Sequence, residues 1–179
     1  MSPTPTRLKI RFYGDPSLRR RARPLTGVGD ADRQCFQEMA EVMRCGGGIG
    51  LAAPQVGIDR QILTVDIGDG LLVLVNPRII SKSGSAVMEE GCLSLPGVYV
   101  DVRRALKVTV TGFNEFFEKV SISASDLLAR AIQHEIDHLR GRLILDYANV
   151  FERFRLKRKL KAHLKRDVHG VPQQEAQQG

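Results

Sequence analysis

QHEIDHLRGRLI (residues 133–144) sets His134 and His138 four residues apart, with Glu135 between them. On a helix, positions i and i+4 share a face with Cβ atoms roughly 5–6 Å apart, so the two imidazoles can grip one ion. This is the H-E-x-x-H arrangement of zinc peptidases, in which the glutamate handles protons. Leu128, Ile132 and Leu139 fall on the flank nearer Glu135, and that shelter favours its protonated form. Asp137 reads either as a solvated charge or as the group that holds a ligand histidine in its tautomer. The stretch continues as a metzincin does as far as Gly141, but Ile144 stands where that family places its third histidine. Two histidines do not make a tight catalytic site, so a third ligand has to come from elsewhere.

Downstream candidates are poorly placed. Glu152 opens a basic segment, Glu175 lies in a polar tail with His169 just ahead of it, and His163 sits among lysines. Upstream, MEEGCLSLPG (88–97) frames Cys92 between a glycine and a Pro–Gly pair, a constrained extended segment suited to holding a thiolate. Cys35, on the apolar side of an expected helix, and Cys45, at its end, read as structural. The three cysteines form no C-x-x-C pair and are free thiols in a reducing compartment.

A chain of 179 residues at 42% hydrophobic content suits one domain. Its longest aliphatic run, Leu71 to Val75, is too short to span a bilayer. MSPTPTRLKIRFYGDP at the N-terminus lacks the apolar core of a signal peptide, so a cytoplasmic protein without a membrane partner is expected. The net charge of +7 is concentrated: residues 151–166 hold eight Lys/Arg against one Glu, leaving 19 basic and 19 acidic residues elsewhere. One basic segment beside a neutral remainder is a placed charge.

Residues 32–44 carry apolar side chains at 36, 39, 42 and 43, a helical period stopped by the glycines from Gly46 to Gly50. QILTVDI (61–67), LLVLVNPRII (71–80), VYVDV (98–102), KVTVTGF (107–113) and KVSIS (119–123) read as strands. Their short connections favour antiparallel pairing. The motif helix is expected from Ser125, as N-cap, to Gly141, and a third helix over 150–166 on a Leu156–Leu160–Leu164 stripe. The fold class is therefore α+β: antiparallel β-sheets packed around a central helix carrying H-E-x-x-H, with an N-terminal and a C-terminal helix. One catalytic domain is expected over 1–166, followed by a disordered tail over 167–179.

Gly48, Gly50 and Ala53 also spell G-x-G-x-x-A, the dinucleotide fingerprint. A helix precedes the glycines where a strand should, and only Pro54 to Arg60 separate them from the next strand. That is too short for a crossover helix, so no nucleotide cofactor is expected. The glycines read either as a structural turn, which the loop taken alone favours, or as backbone brought close to an extended ligand, to which Gln55 offers an amide.

GIGLAAPQ (48–55), EGCLS (90–94) and QHEIDH (133–138), in that order and spacing, resemble the three motifs of peptide deformylase, and the likeness extends over roughly residues 6–166. The resemblance implies one divalent metal ion on Cys92, His134 and His138, Fe(II) in the cell with zinc, nickel or cobalt also accepted. It implies Glu135 as general base and then acid, Gln55 and the backbone N–H of Leu93 as oxyanion donors, and Ile49, Gly50 and Gly91 as partners of the substrate backbone. The implied reaction removes formyl from the N-formylmethionine of a nascent peptide. The implied partner of the basic helix is ribosomal RNA, and a monomer is expected. FNEFFEK (113–119) and Asp126 depart from the family's usual hairpin turn and glycine. An H-E-x-x-H metallopeptidase, with no need of Cys92, and a non-enzymatic RNA-binding protein, indifferent to Glu135, remain the alternatives.

Overall fold

A computed structural model describes residues 8–169. It contains helices α1 (Asp30–Cys45), α2 (Asp126–Leu139) and α3 (Val150–His169) and strands β1 (Gly50–Ala52), β2 (Ile62–Val65), β3 (Leu72–Ser83), β4 (Ala86–Gly91), β5 (Tyr99–Arg104), β6 (Lys107–Phe113) and β7 (Lys119–Ser125). The strands form a five-stranded sheet in the order β1-β2-β3-β6-β7 and a two-stranded sheet of β4 and β5. Every named pair is antiparallel. The fold is α+β, as expected. Among the described residues no helix is long and apolar enough to cross a membrane.

The five strands expected from alternation are all present. β1 and β4 are additions. β1 is three residues inside the glycine cluster, and β4 buries only the Glu90 side chain fully, so neither displays a hydrophobic period. Helix α3 runs to His169, three residues beyond the expected end. Residues 170–179, most of the expected tail, lie outside the described residues.

Helix α2 is buried along most of its length. One flank, Ala129, Ile132 and Ile136, packs on Leu63, Leu74, Val108 and Val110 of the large sheet. The other side of that sheet is closed by Phe36, Met39 and Met43 of α1. Leu156 and Leu160 of α3 pack on Val100 and Val102 of β5 and on Leu95 and Val98, so the leucine stripe is the helix's inner face. Ser125 occupies the N-cap of α2 without a side-chain capping bond. Asp126 adopts φ 52°, the left-handed region that glycine enters most easily and Asp tolerates. The β6–β7 hairpin is closed by Asn114, whose side-chain Oδ1 accepts from Phe116 N (3.0 Å) and Glu118 N (2.9 Å).

Gly141 ends α2 at φ +72°, and a Cβ there would sit 2.5 Å from the Arg19 carbonyl oxygen. Both the backbone angle and the close approach exclude a side chain. Gly141→Ala is expected to lower stability by about 1–3 kcal/mol, measured as a shift of the urea midpoint.

Candidate metal centre

The H-E-x-x-H spacing brings the two imidazoles together. His138 Nε2 lies 3.2 Å from His134 Nε2 and 3.2 Å from Cys92 Sγ. All three donor atoms fall within 4.8 Å of one another, and among the described residues this is the one such group that could hold a metal ion. Cys92 reaches it from the segment just after β4, where its carbonyl accepts from Leu95 N (2.9 Å) and tightens the turn. The other thiols are elsewhere. Cys45 is exposed, and burial pushes the Cys35 thiol up to about 11. Ile144 is buried in the core beside Leu143 and Leu145.

The donor set fits a first-row divalent cation. Metal–sulfur bonds of about 2.3 Å and metal–nitrogen bonds of about 2.0–2.1 Å at tetrahedral angles leave donors roughly 3.3–3.6 Å apart, close to the spacing here. Protonation points the same way. Burial drives both imidazoles toward neutrality, and His138, facing the charge on His134, sits well below the ordinary histidine value. At His134, hydrogen bonds to Cys92 and Glu90 outweigh burial and hold it well above.

Glu90, absent from the expected site, is what orients His134. Its Oε2 accepts from His134 Nδ1 at 2.9 Å, which turns Nε2 toward the cluster. Arg104 grips both oxygens of Glu90, Nε to Oε1 at 2.8 Å and Nη2 to Oε2 at 2.9 Å. Arg130 Nη1 adds a third bond to Oε1 at 2.7 Å. Burial pushes the Glu90 carboxyl up, but these partners overcome it and hold it at about 2. Asp137 follows neither of its expected roles: its Oδ2 accepts from Arg104 Nη1 (2.6 Å) and from the Tyr147 hydroxyl (2.6 Å). Two carboxylates and two guanidiniums therefore balance in a buried network. The hint in the sequence was Glu90 itself, two residues before Cys92.

Glu135 is 4% exposed and its Oε2 has no hydrogen-bond partner. Burial raises its carboxyl to about 7. A Cβ at Gly50 would collide with this carboxylate, so the glycine makes room for Glu135. Gln55 is buried on a short 3-10 turn, Ala53–Val56. Its Oε1 accepts from Ala52 N (2.8 Å), which fixes the amide so that Nε2 points toward Cys92 Sγ (3.6 Å) and Ser94 Oγ (3.3 Å).

Ile49, Gly50, Gln55, Gly91, Cys92, Leu93, His134 and Glu135 all line one open groove of about 500 Å³. Its walls are β1, an edge strand of the large sheet, and β4, half of the two-stranded sheet. The glycine cluster follows α1 and opens β1, the reverse of a dinucleotide fold's strand-then-helix order.

Residues 7–154 match the polypeptide deformylase family. The chain belongs to the peptide deformylase family. It is 50% identical over 141 residues to the peptide deformylase of Halothermothrix orenii, covering 78% of this chain and 92% of that one. It is 43% identical over 161 residues to that of Pseudoalteromonas translucida, covering 88% and 96%. The crystal structure of a peptide deformylase from Legionella pneumophila superposes with a TM-score of 0.88 at 38% identity, over 92% of this chain and 99% of that one. That from Synechococcus elongatus, in complex with actinonin, gives 0.83 at 40% identity over 88% and 87%. This peptide deformylase is a metal-dependent hydrolase that removes the formyl group from N-formylmethionine at the start of new proteins.

Proposed function

We propose that Cys92, His134 and His138 hold the ion, Fe(II) in the cell with zinc, nickel or cobalt accepted, and that Glu135 moves the proton. The observation that carries this is the convergence of three donor atoms beside a buried, unpartnered carboxylate at the floor of a groove. A bound cation lowers the pKa of water from about 16 toward about 7 and so supplies a nucleophile at neutral pH. Glu135, poised near 7, takes the proton released as water attacks the formyl carbon and delivers it to the departing amine. Gln55 Nε2 and the Leu93 backbone N–H donate to the oxygen that becomes negative. Ile49 and Gly50 on one wall and Gly91 on the other pair with the backbone of an extended peptide, the way a strand adds to a free sheet edge. The Cys92 thiolate makes the site oxidisable, so the assay is anaerobic.

Formyl-Met-Ala-Ser and Met-Ala-Ser separate this reaction from peptide-bond cleavage. Formate and intact Met-Ala-Ser are the expected products. Cleavage of Met-Ala-Ser itself would favour the metallopeptidase.

We further propose one catalytic domain over 1–166, monomeric and cytoplasmic, with α3 as a ribosomal RNA contact. The leucines of α3 face inward, while Arg155, Arg158, Lys159 and Lys161 are exposed, with Phe151 (89% exposed) and Phe154 (66%) beside them. Changing Arg155, Arg158, Lys159 and Lys161 to Gln is expected to reduce ribosome cosedimentation and flatten its salt dependence, with formate release unchanged. Cosedimentation that ignores both salt and these substitutions would contradict the contact.

A further inference from the structure

Ile136, Leu139 and Arg140 lie between roughly 100° and 160° around α2 from the two histidines, at 100° per residue. Ile136 and Leu139 form the apolar floor of a second cavity of about 300 Å³, rimmed by Arg21, Arg78 and Arg140 with Gln61 on its wall. No carboxylate lines it. Among the described residues none of these three guanidiniums makes a hydrogen bond or ion pair. By contrast, Arg19, Arg23 and Arg44 pair with Asp146, Asp59 and Asp66.

Each arginine arrives from a different part of the chain on a pinned backbone. Next to Arg21, Ala22 N donates to Leu139 O (2.9 Å) and Ala22 O accepts from Gln61 Nε2 (3.1 Å). Arg78 follows an irregularity where β3 shifts register against β6 between Val75 and Arg78. Asn76, at φ 51°, holds that kink by bonding Leu25 N (2.9 Å) and Leu25 O (2.7 Å). Such bulges re-aim side chains beside sites. Arg140 sits at the end of α2, whose last carbonyls are already taken: Asp137 O by Arg140 N and Arg142 N, His138 O by Gly141 N, and Leu139 O by Ala22 N. The helix end therefore leaves the guanidinium free.

Three guanidiniums around one cavity with no carboxylate in its lining repel one another, and a shared anion relieves that cost. Guanidinium forks match the oxygens of a phosphate group, two bonds at a time. We propose that this cavity is a phosphate-binding site, occupied by a free phosphate compound or by a phosphodiester of RNA. It is independent of the catalytic roles assigned above.

Inorganic phosphate titrated calorimetrically into the metal-loaded chain, with chloride replacing it at constant ionic strength, tests the site. Binding to wild type is expected to weaken at least tenfold in Arg78→Gln and to vanish in the triple variant Arg21→Gln/Arg78→Gln/Arg140→Gln, with formate release within about twofold of wild type in both. The single variant removes one exposed side chain and guards against misfolding of the triple. A second arm measures a short RNA oligonucleotide: if RNA is the source, the triple variant's log–log salt slope is shallower by about 2–3. Lost phosphate binding with unchanged RNA binding assigns the site to free phosphate compounds. Equal phosphate binding by wild type and the triple variant, or no binding of either probe to wild type, would overturn the proposal.

Discussion

Glu135→Gln is expected to cut formate release by about 10²–10⁴-fold, the range a positioned acid–base group supplies, while making the metal-free protein more stable above neutral pH. Both effects have one origin. Ionising Glu135 in the fold is costly because the carboxylate is buried and its Oε2 has no partner. Its carboxyl titrates at about 7 instead of the ordinary 4.5. The unfolded chain ionises freely above 4.5, whereas the folded chain must wait, so stability falls as pH rises between those values. Above pH 7 the full cost, about 3 kcal/mol, is present, and below pH 4.5 it is absent. Gln keeps the shape and removes the charge. Urea unfolding of chelated protein at pH 8 and pH 4 reads the difference: a gain for Glu135→Gln at pH 8 and none at pH 4. Equal stability at both pH values would mean that the carboxylate is not held against its solvation.

Glu90→Ala is expected to be the most damaging change to stability outside the hydrophobic core. Arg104 would remain buried with only Asp137, and Arg130 would be left without a carboxylate. Breaking a buried ion pair by removing one partner costs about 3–5 kcal/mol, because the remaining charge is left without compensation. The same substitution frees His134 Nδ1, and loss of such a supporting bond typically lowers metal affinity about 10–100-fold. The two losses are separable by urea unfolding of chelated protein and by competition for metal with a chromophoric chelator. Acid acts on the same group. With Glu90 held at about 2 against an ordinary 4.5, its contribution is complete above pH 4.5 and is lost as pH falls through 2.

Local periodicity made much of this fold legible. The i, i+4 spacing of His134 and His138, the alternation in β5 and β6 and the inward leucines of α3 are short-range patterns, and each survives in three dimensions. Cys92 was reachable because its glycine and proline neighbours constrain it. β1 and β4 were not, because a three-residue strand among glycines and a strand with one fully buried side chain have no period to detect. The buried network was equally hidden. Glu90, Arg104, Arg130 and Asp137 pair across separations of 14 to 40 residues, and nothing local distinguishes them from solvated charges. Asp137 illustrates the limit, since its partners are Arg104 and Tyr147 rather than water or histidine. Charge counting misled in a similar way. Outside residues 151–166 the chain sums to neutrality, yet Arg21, Arg78 and Arg140 meet around one cavity, which no running total reveals.

The assignment of Cys92, His134 and His138 as the working metal site is most directly tested by loading wild type and Cys92→Ala with Fe(II) under anaerobic conditions, counting bound iron and measuring formate released from formyl-Met-Ala-Ser. One ion per chain and sustained formate release in wild type, with both lost in Cys92→Ala, is the expected result. Full formate release by a Cys92→Ala protein that retains no metal would contradict it.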